Sequence, residues 1–202
     1  MNAPRRKSRL VGLKKILFPM QKARDFMDTS GPARVMFDPA ARTASGQKGQ
    51  DLVDFLKQAS LTADLGPGDR RRLARIVHER EYRDGEIIFD QGTPAATLYI
   101  LRCGMVQIMR KKRDGEEIPL AMLEPPASFE ELAAVGGEVV HWASARAHGS
   151  VSAVAIGRSD LDALSRNFPS LANKILMKLS RVVAAQMQML LEAEYFNEEM
   201  EP

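Results

Sequence analysis

From Tyr82 to Ile156 the hydrophobic period of the chain is two, and turn residues cut it into short pieces: "EYRDGEIIFDQG", "TLYILRCG", "MVQIMRKKRDGEEIPLAML". Apolar side chains at alternate positions put one face of each piece on a core, the pattern of half-buried strands rather than helices. Asp114-Gly115 sits where a hairpin tip is needed, since a tight turn calls for a backbone conformation that glycine adopts freely. The basic run Arg110–Arg113 at that tip reads as a solvated turn. Three more strand-like pieces follow, Ile118–Leu123, His141–Ala147 and Val151–Ile156. About seven or eight short strands at this spacing predict a sandwich, barrel or jelly roll.

Helical patterns bracket the strands. "DLVDFLKQAS" places Leu52, Val53, Phe55 and Leu56 on one face, and "LGPGDRRRLARIVHERE" does the same with Leu73, Ile76 and Val77, which puts His78 on a helix. Arg70-Arg71-Arg72 is then the solvated face of that helix, because no aromatics interleave and Glu79 and Glu81 follow. Beyond the strands, Ser159 with Asp162 resembles a capping box, Leu161 and Leu164 open a short helix, and Pro169 must end it or restart it. Leu171, Ile175, Leu179, Val182 or Val183, Met187 and Leu190 then recur at spacings near three and four. So long a stripe needs cover, and its distal half predicts a homodimer through this C-terminal helix.

The expected fold is therefore mainly β with flanking helices (α+β). It is a β-roll or double-stranded jelly roll, with N-terminal helices over 51–80, the roll over 81–157 and C-terminal helices over 158–202. Residues 1–50 form a basic leader and flexible linker. Eight cations precede the first acid, Asp25, and surround Leu10, Leu13 and Leu17; five acids and no cation follow Leu191. The leader pattern fits either a solubilising tail or an anionic membrane surface bound through residues 5–24. It lacks the uninterrupted apolar region and small-residue cleavage site of a secretory signal, and the single cysteine, Cys103, implies no internal disulfide, so a cytoplasmic protein is expected. Metal-dependent jelly-roll chemistry needs clustered histidines, whereas the three present, His78, His141 and His148, form no His-x-His pair. The expectation is no catalytic residue, no metal, no cofactor and no enzyme.

One stretch carries a resemblance. "YRDGEIIFDQGTPAATLYILRCGMVQIM" is similar to the start of the cyclic nucleotide-binding domain of catabolite activator proteins, cyclic-nucleotide-dependent kinases and gated channels, with turn glycines at Gly85, Gly92 and Gly104. The resemblance runs from about Asp51 to about Leu190. It implies a regulatory, signal-transducing module with a phosphate-binding cassette, where members typically read Phe-Gly-Glu, then a short helix, a loop and an arginine. The glycine admits the ligand to the backbone, the glutamate takes a ribose hydroxyl and the arginine pairs with the phosphate.

The matching positions here are Phe129, Glu130, Glu131, Leu132, His141, Ala143 and Ser144. Glu131 and Ser144 keep the expected types. Glu130 replaces the glycine and His141 the arginine, so the cassette is degenerate: a carboxylate stands near the anion, and a mostly neutral imidazole cannot offer a two-pronged fork. These residues are then either weak ligand contacts or inherited scaffold, with Glu131 as a solvated or capping carboxylate and His141 exposed. The expected function is a non-enzymatic regulatory module that binds cyclic nucleotide weakly, or an altered ligand, and acts through a dimer or an unknown protein partner. The alternative is a ligand-free scaffold docked by its basic leader. Acidic residues up to Pro202, and no room before it for a helix-turn-helix, predict no direct DNA binding.

Overall fold

The computed structural model describes residues 45–199. The amphipathic leader and its membrane-surface reading lie outside them. Residues 51–185 form one compact unit; residues 45–50 and 186–199, the helical ends of the described segment, belong to a second.

The N-terminal helices are α1 (Ser45–Gln58) and α2 (Pro67–Leu73). α1 begins six residues earlier than the linker reading expects. Once Leu52, Phe55 and Leu56 are packed, each further residue toward the N-terminus adds a helical hydrogen bond without a new nucleus. α2 is shorter than expected, and His78 is not on it. Instead His78 opens strand β1 (His78–Tyr82), which hydrogen-bonds along β8 from His78 opposite Ala155 to Tyr82 opposite Val151. Four of its five residues are exposed, so "HEREY" shows no apolar alternation by which to announce a strand. Of the three arginines, Arg71 and Arg72 are solvated, but Arg70 is half-buried and its guanidinium donates to the carbonyls of Ala63 and Leu65.

The roll continues with β2 (Ile87–Phe89), β3 (Pro94–Ala95), β4 (Thr97–Lys111), β5 (Glu117–Leu123), β6 (Ser128–Phe129), helix α3 (Glu131–Val135), β7 (Val139–Val140) and β8 (Ser144–Gly157). In the main sheet the order is β1-β8-β4-β5, with β2 on β8 and β6 on β4; β3 and β7 form a separate ladder. The pieces expected on either side of Cys103 and of Gly149 are two long strands, β4 and β8, paired from Thr97 opposite Gly157 to Met109 opposite Ser144. Their register slips between Leu101 and Met105. Gly104 there has φ +80°, and a β-carbon on it would meet the Ser150 carbonyl oxygen at 2.3 Å. Only glycine lets the two strands close at that point. The hairpin tip is as expected, with Gly115 at φ +89°.

Helices α4 (Arg158–Asn167) and α5 (Pro169–Glu199) follow the roll. The cap of α4 lies two residues before the expected one: the Gly157 N–H donates to the Asp160 carboxylate at 2.8 Å. A single cluster that includes Leu56, Leu73, Leu98, Ile156, Leu164 and Ile175 binds helices α1, α2, α4 and α5 to strands β4 and β8. Each such leucine or isoleucine contributes roughly 1.5–3 kcal/mol by leaving water. Among the α5 side chains whose burial is described, Leu179 is the last buried one; Val182 and Val183 are half-buried and Met187 is exposed.

Candidate functional site

The segment from Ser128 to Ser144 contains the expected succession of short strand, one-turn helix, loop and strand edge. Phe129 is buried and stacks on Tyr99 of β4, with ring centroids 5.1 Å apart. The next residue, Glu130, has φ +65° and ψ +37°, and is the sole non-glycine residue with positive φ among those described. A left-handed backbone at a side-chain-bearing residue costs about 1–2 kcal/mol. The chain thus keeps the turn that the glycine of the resemblance would make, although it carries a carboxylate there.

That carboxylate points inward. Its Oε2 lies 2.9 Å from Nδ1 of His141, and the two side chains are 13% and 6% exposed. His141 is therefore not the exposed polar residue that the scaffold reading expected. Its ring lies flat on Phe89 of β2 at 4.0 Å, and its backbone is fixed on both sides, accepting from Gly92 N–H and donating to the Thr93 carbonyl. Despite the short separation, Nδ1 is the one buried side-chain nitrogen or oxygen among the described residues that lacks an aligned hydrogen bond. Burial, and then the neighbouring charge of Glu131, push the Glu130 carboxyl up to about 7, while burial pushes the His141 imidazole down. Both shifts favour the uncharged forms.

Glu131 is buried rather than solvated, and its Oε1 accepts from the Ser128 hydroxyl at 2.7 Å. Ala143 is buried. Ser144 Oγ accepts the Gln91 N–H at 2.9 Å, so this hydroxyl already serves the loop after β2. Leu132 stands apart from the rest, exposed on the outer side of α3 beside Val135. The structure thus gathers Phe129, Glu130, Glu131 and His141 into one buried cluster, ties Ser144 to its edge and leaves Leu132 outside.

Four participants escaped the sequence reading. Tyr99 was visible only as an apolar strand position, and Phe89 and Gln91 were not singled out. The fourth, Arg158, is the first residue of α4. Its Nε and Nη2 donate to the Ala133 carbonyl at 3.2 and 2.9 Å, and Nη2 also reaches Ala95 O at 3.1 Å and Gly136 O at 3.4 Å. It satisfies carbonyls at the end of α3, where a five-residue helix has no following turn to do so. One side chain thus joins the cassette helix to the start of the C-terminal helices. An arginine just after a strand gives no sign of this in sequence, because its acceptors are backbone atoms.

Residues 79–168 match the family described as "Cyclic nucleotide-binding domain". Over those residues the roll is similar to a cyclic nucleotide-binding domain. Over 126 residues the chain is 31% identical to the cyclic AMP receptor protein of Thermus thermophilus, covering 62% of this chain and 58% of that one. It is 26% identical over 125 residues to the cAMP-dependent protein kinase regulatory subunit of Blastocladiella emersonii, of which it covers 31%. It therefore spans only 58% and 31% of the length of these two relatives. Among solved structures it is similar to the N-terminal domain of a transcriptional regulator from Streptomyces coelicolor, with TM-score 0.60 and 26% identity over 68% of this chain and 95% of that one. The Thermus thermophilus catabolite activator protein aligns with TM-score 0.57 and 30% identity, over 68% of this chain and 64% of that one. These are jelly-roll domains of regulatory proteins. No described helix is long and apolar enough to cross a membrane.

Proposed function

We propose that this domain is a non-enzymatic, cytoplasmic regulatory module whose cassette binds cyclic nucleotides weakly at neutral pH, or takes an altered ligand. The observation that carries the reading is the Glu130–His141 contact. At the two positions where the family offers a bare backbone turn and an arginine, a buried carboxyl and a buried imidazole face each other at 2.9 Å. An entering phosphate would displace that contact, meet a second carboxylate in Glu131, and find no fork of donors in return. Phe129, Glu130, Glu131, Leu132, His141, Ala143 and Ser144 remain the ligand-facing segment in this reading, with Leu132 as an outer wall.

Occupancy of the cassette acts on the C-terminal helices through Arg158. Any shift of α3 moves the Ala133 and Gly136 carbonyls that this side chain holds, and with them the first turn of α4. The output surface is the distal part of α5, whose half-buried Val183 and exposed Met187 suit a second copy of the chain or a partner helix. Calorimetric titration of the purified chain with cyclic AMP and cyclic GMP at pH 7.5 tests the binding claim. No saturation below about 100 μM is expected; a dissociation constant in the low micromolar range would overturn it.

A further inference from the structure

We propose that Glu130 and His141 form a proton-counting gate on the anion site: holding one proton or none between them, they exclude a cyclic phosphate diester, and holding two, they admit it. The inference rests on the reading of Phe129–Ser144 as the ligand-binding segment.

Two lone-pair-bearing atoms buried 2.9 Å apart repel each other unless a proton lies at one of them. Nothing else in the surroundings relieves the contact. Nδ1 of His141 has no other partner, and the ring is held flat on Phe89, which carries no charge. From α3 the charged neighbour is Glu131, already accepting from Ser128, and it disfavours a second negative charge beside it. From β4 the neighbour is Tyr99, whose hydroxyl is pushed up by burial and feels the Glu130 charge. Behind it stands Tyr82 of β1, raised to about 12 chiefly by burial, with Arg80 acting on both tyrosines in the opposite direction. These phenols stay protonated throughout the working range and donate no gating charge.

The charge of the pair therefore runs from −1 with no proton through 0 with one to +1 with two. A cyclic phosphate diester carries −1 at every pH of interest. In the −1 state it is repelled; in the neutral state it gains no charge partner for the contact it breaks; in the +1 state the imidazolium is a buried cation that has lost the Glu130 carboxylate as its counter-ion. Both groups sit close enough to neutrality for this to matter, since Glu130 lies near 7 and His141 below its ordinary value. Binding from the neutral state thus takes up one proton from solvent, and the anion in turn holds that proton on His141. This is what distinguishes a gate from a cassette that has simply lost its contacts.

The test is titration of the full chain with cyclic AMP at pH 8.0, 7.0, 6.0 and 5.5, in buffers of differing ionisation enthalpy, with adenosine as the phosphate-free probe. The expected affinity rises about tenfold per pH unit for each proton taken up, with close to one proton absorbed per nucleotide near pH 6, while adenosine shows no such slope. Glu130→Gln should bind at least tenfold more tightly than the wild type at pH 8.0 and follow a shallower profile. His141→Gln should lose the rise on the acid side. Near-ultraviolet circular dichroism shows that each variant is folded, and Glu130→Gly stands in if Glu130→Gln is not. Cyclic AMP binding that is independent of pH would sink the gate and leave the cassette reading standing. If neither cyclic AMP nor adenosine binds to any folded variant at any pH, the ligand-binding reading falls and the gate with it.

Discussion

Replacing Glu130 by glutamine should stabilise the protein at alkaline pH and leave it nearly unchanged at acid pH. The folded-state carboxyl sits at about 7 against an ordinary 4.5. Well below pH 4.5 the group is protonated in both folded and unfolded chains and favours neither. As pH rises toward 8 the unfolded chain releases its proton freely, whereas the folded chain must bury a carboxylate beside Glu131, so stability falls through this window. At about 1.4 kcal/mol per pH unit of difference the full effect is roughly 3 kcal/mol. The carboxyl is 13% exposed, so solvent screening brings a realistic figure nearer 2 kcal/mol. Glutamine has the same length and the same left-handed backbone to adopt, so the strain at φ +65° cancels between the two proteins. Urea unfolding of both at pH 5 and pH 8 should show an offset at pH 5 only about a quarter of that at pH 8, where the variant is shifted upward by about 1 M for a denaturant slope near 2 kcal/mol per molar. An equal offset at both pH values would refute the reasoning, since it would mean that packing, not charge burial, governs the position.

Arg158→Ala removes the donors that hold the Ala133, Ala95 and Gly136 carbonyls. It should lower stability by about 2–3 kcal/mol, read as a fall in thermal midpoint, and hydrogen exchange should quicken in α3 more than in the β4–β8 ladder. For the dimer, Leu179 is an unsuitable probe because it lies in the core. Val183→Glu with Met187→Glu should instead give folded monomers by light scattering, and a wild type already monomeric at tens of micromolar would refute the α5 interface.

The jelly roll was legible because strands packed on one face announce themselves by alternation, and because turns at Gly85, Gly92 and Gly115 require positive φ that the residue type reveals. β1 was not legible: an almost wholly exposed strand depends on backbone pairing with β8, which leaves no side-chain period. The merging of strands at Gly104 and Gly149 was hidden for a related reason, since the same glycine that ends a strand can also let it bend and continue. At the site, the substitutions at Glu130 and His141 could be read from position alone. Their mutual contact could not, because it depends on the left-handed turn at Glu130 and on the ring seat at Phe89, both tertiary facts. Arg158 binds main-chain carbonyls and so leaves no partner residue to recognise.

The central claim is that these two residues, on an otherwise intact turn, are what separates this cassette from one that holds a cyclic phosphate. The measurement is calorimetry at pH 7.5 of cyclic AMP with Glu130→Gly/His141→Arg beside the wild type. Glycine relieves the left-handed backbone and removes the buried carboxyl, and arginine can restore a charge-assisted pair of hydrogen bonds, together worth roughly 3 kcal/mol or about a hundredfold in affinity. The account predicts saturable binding by the double variant at low micromolar concentration and none below about 100 μM by the wild type. Equal affinity of the two folded proteins, whether both bind or neither does, would contradict it.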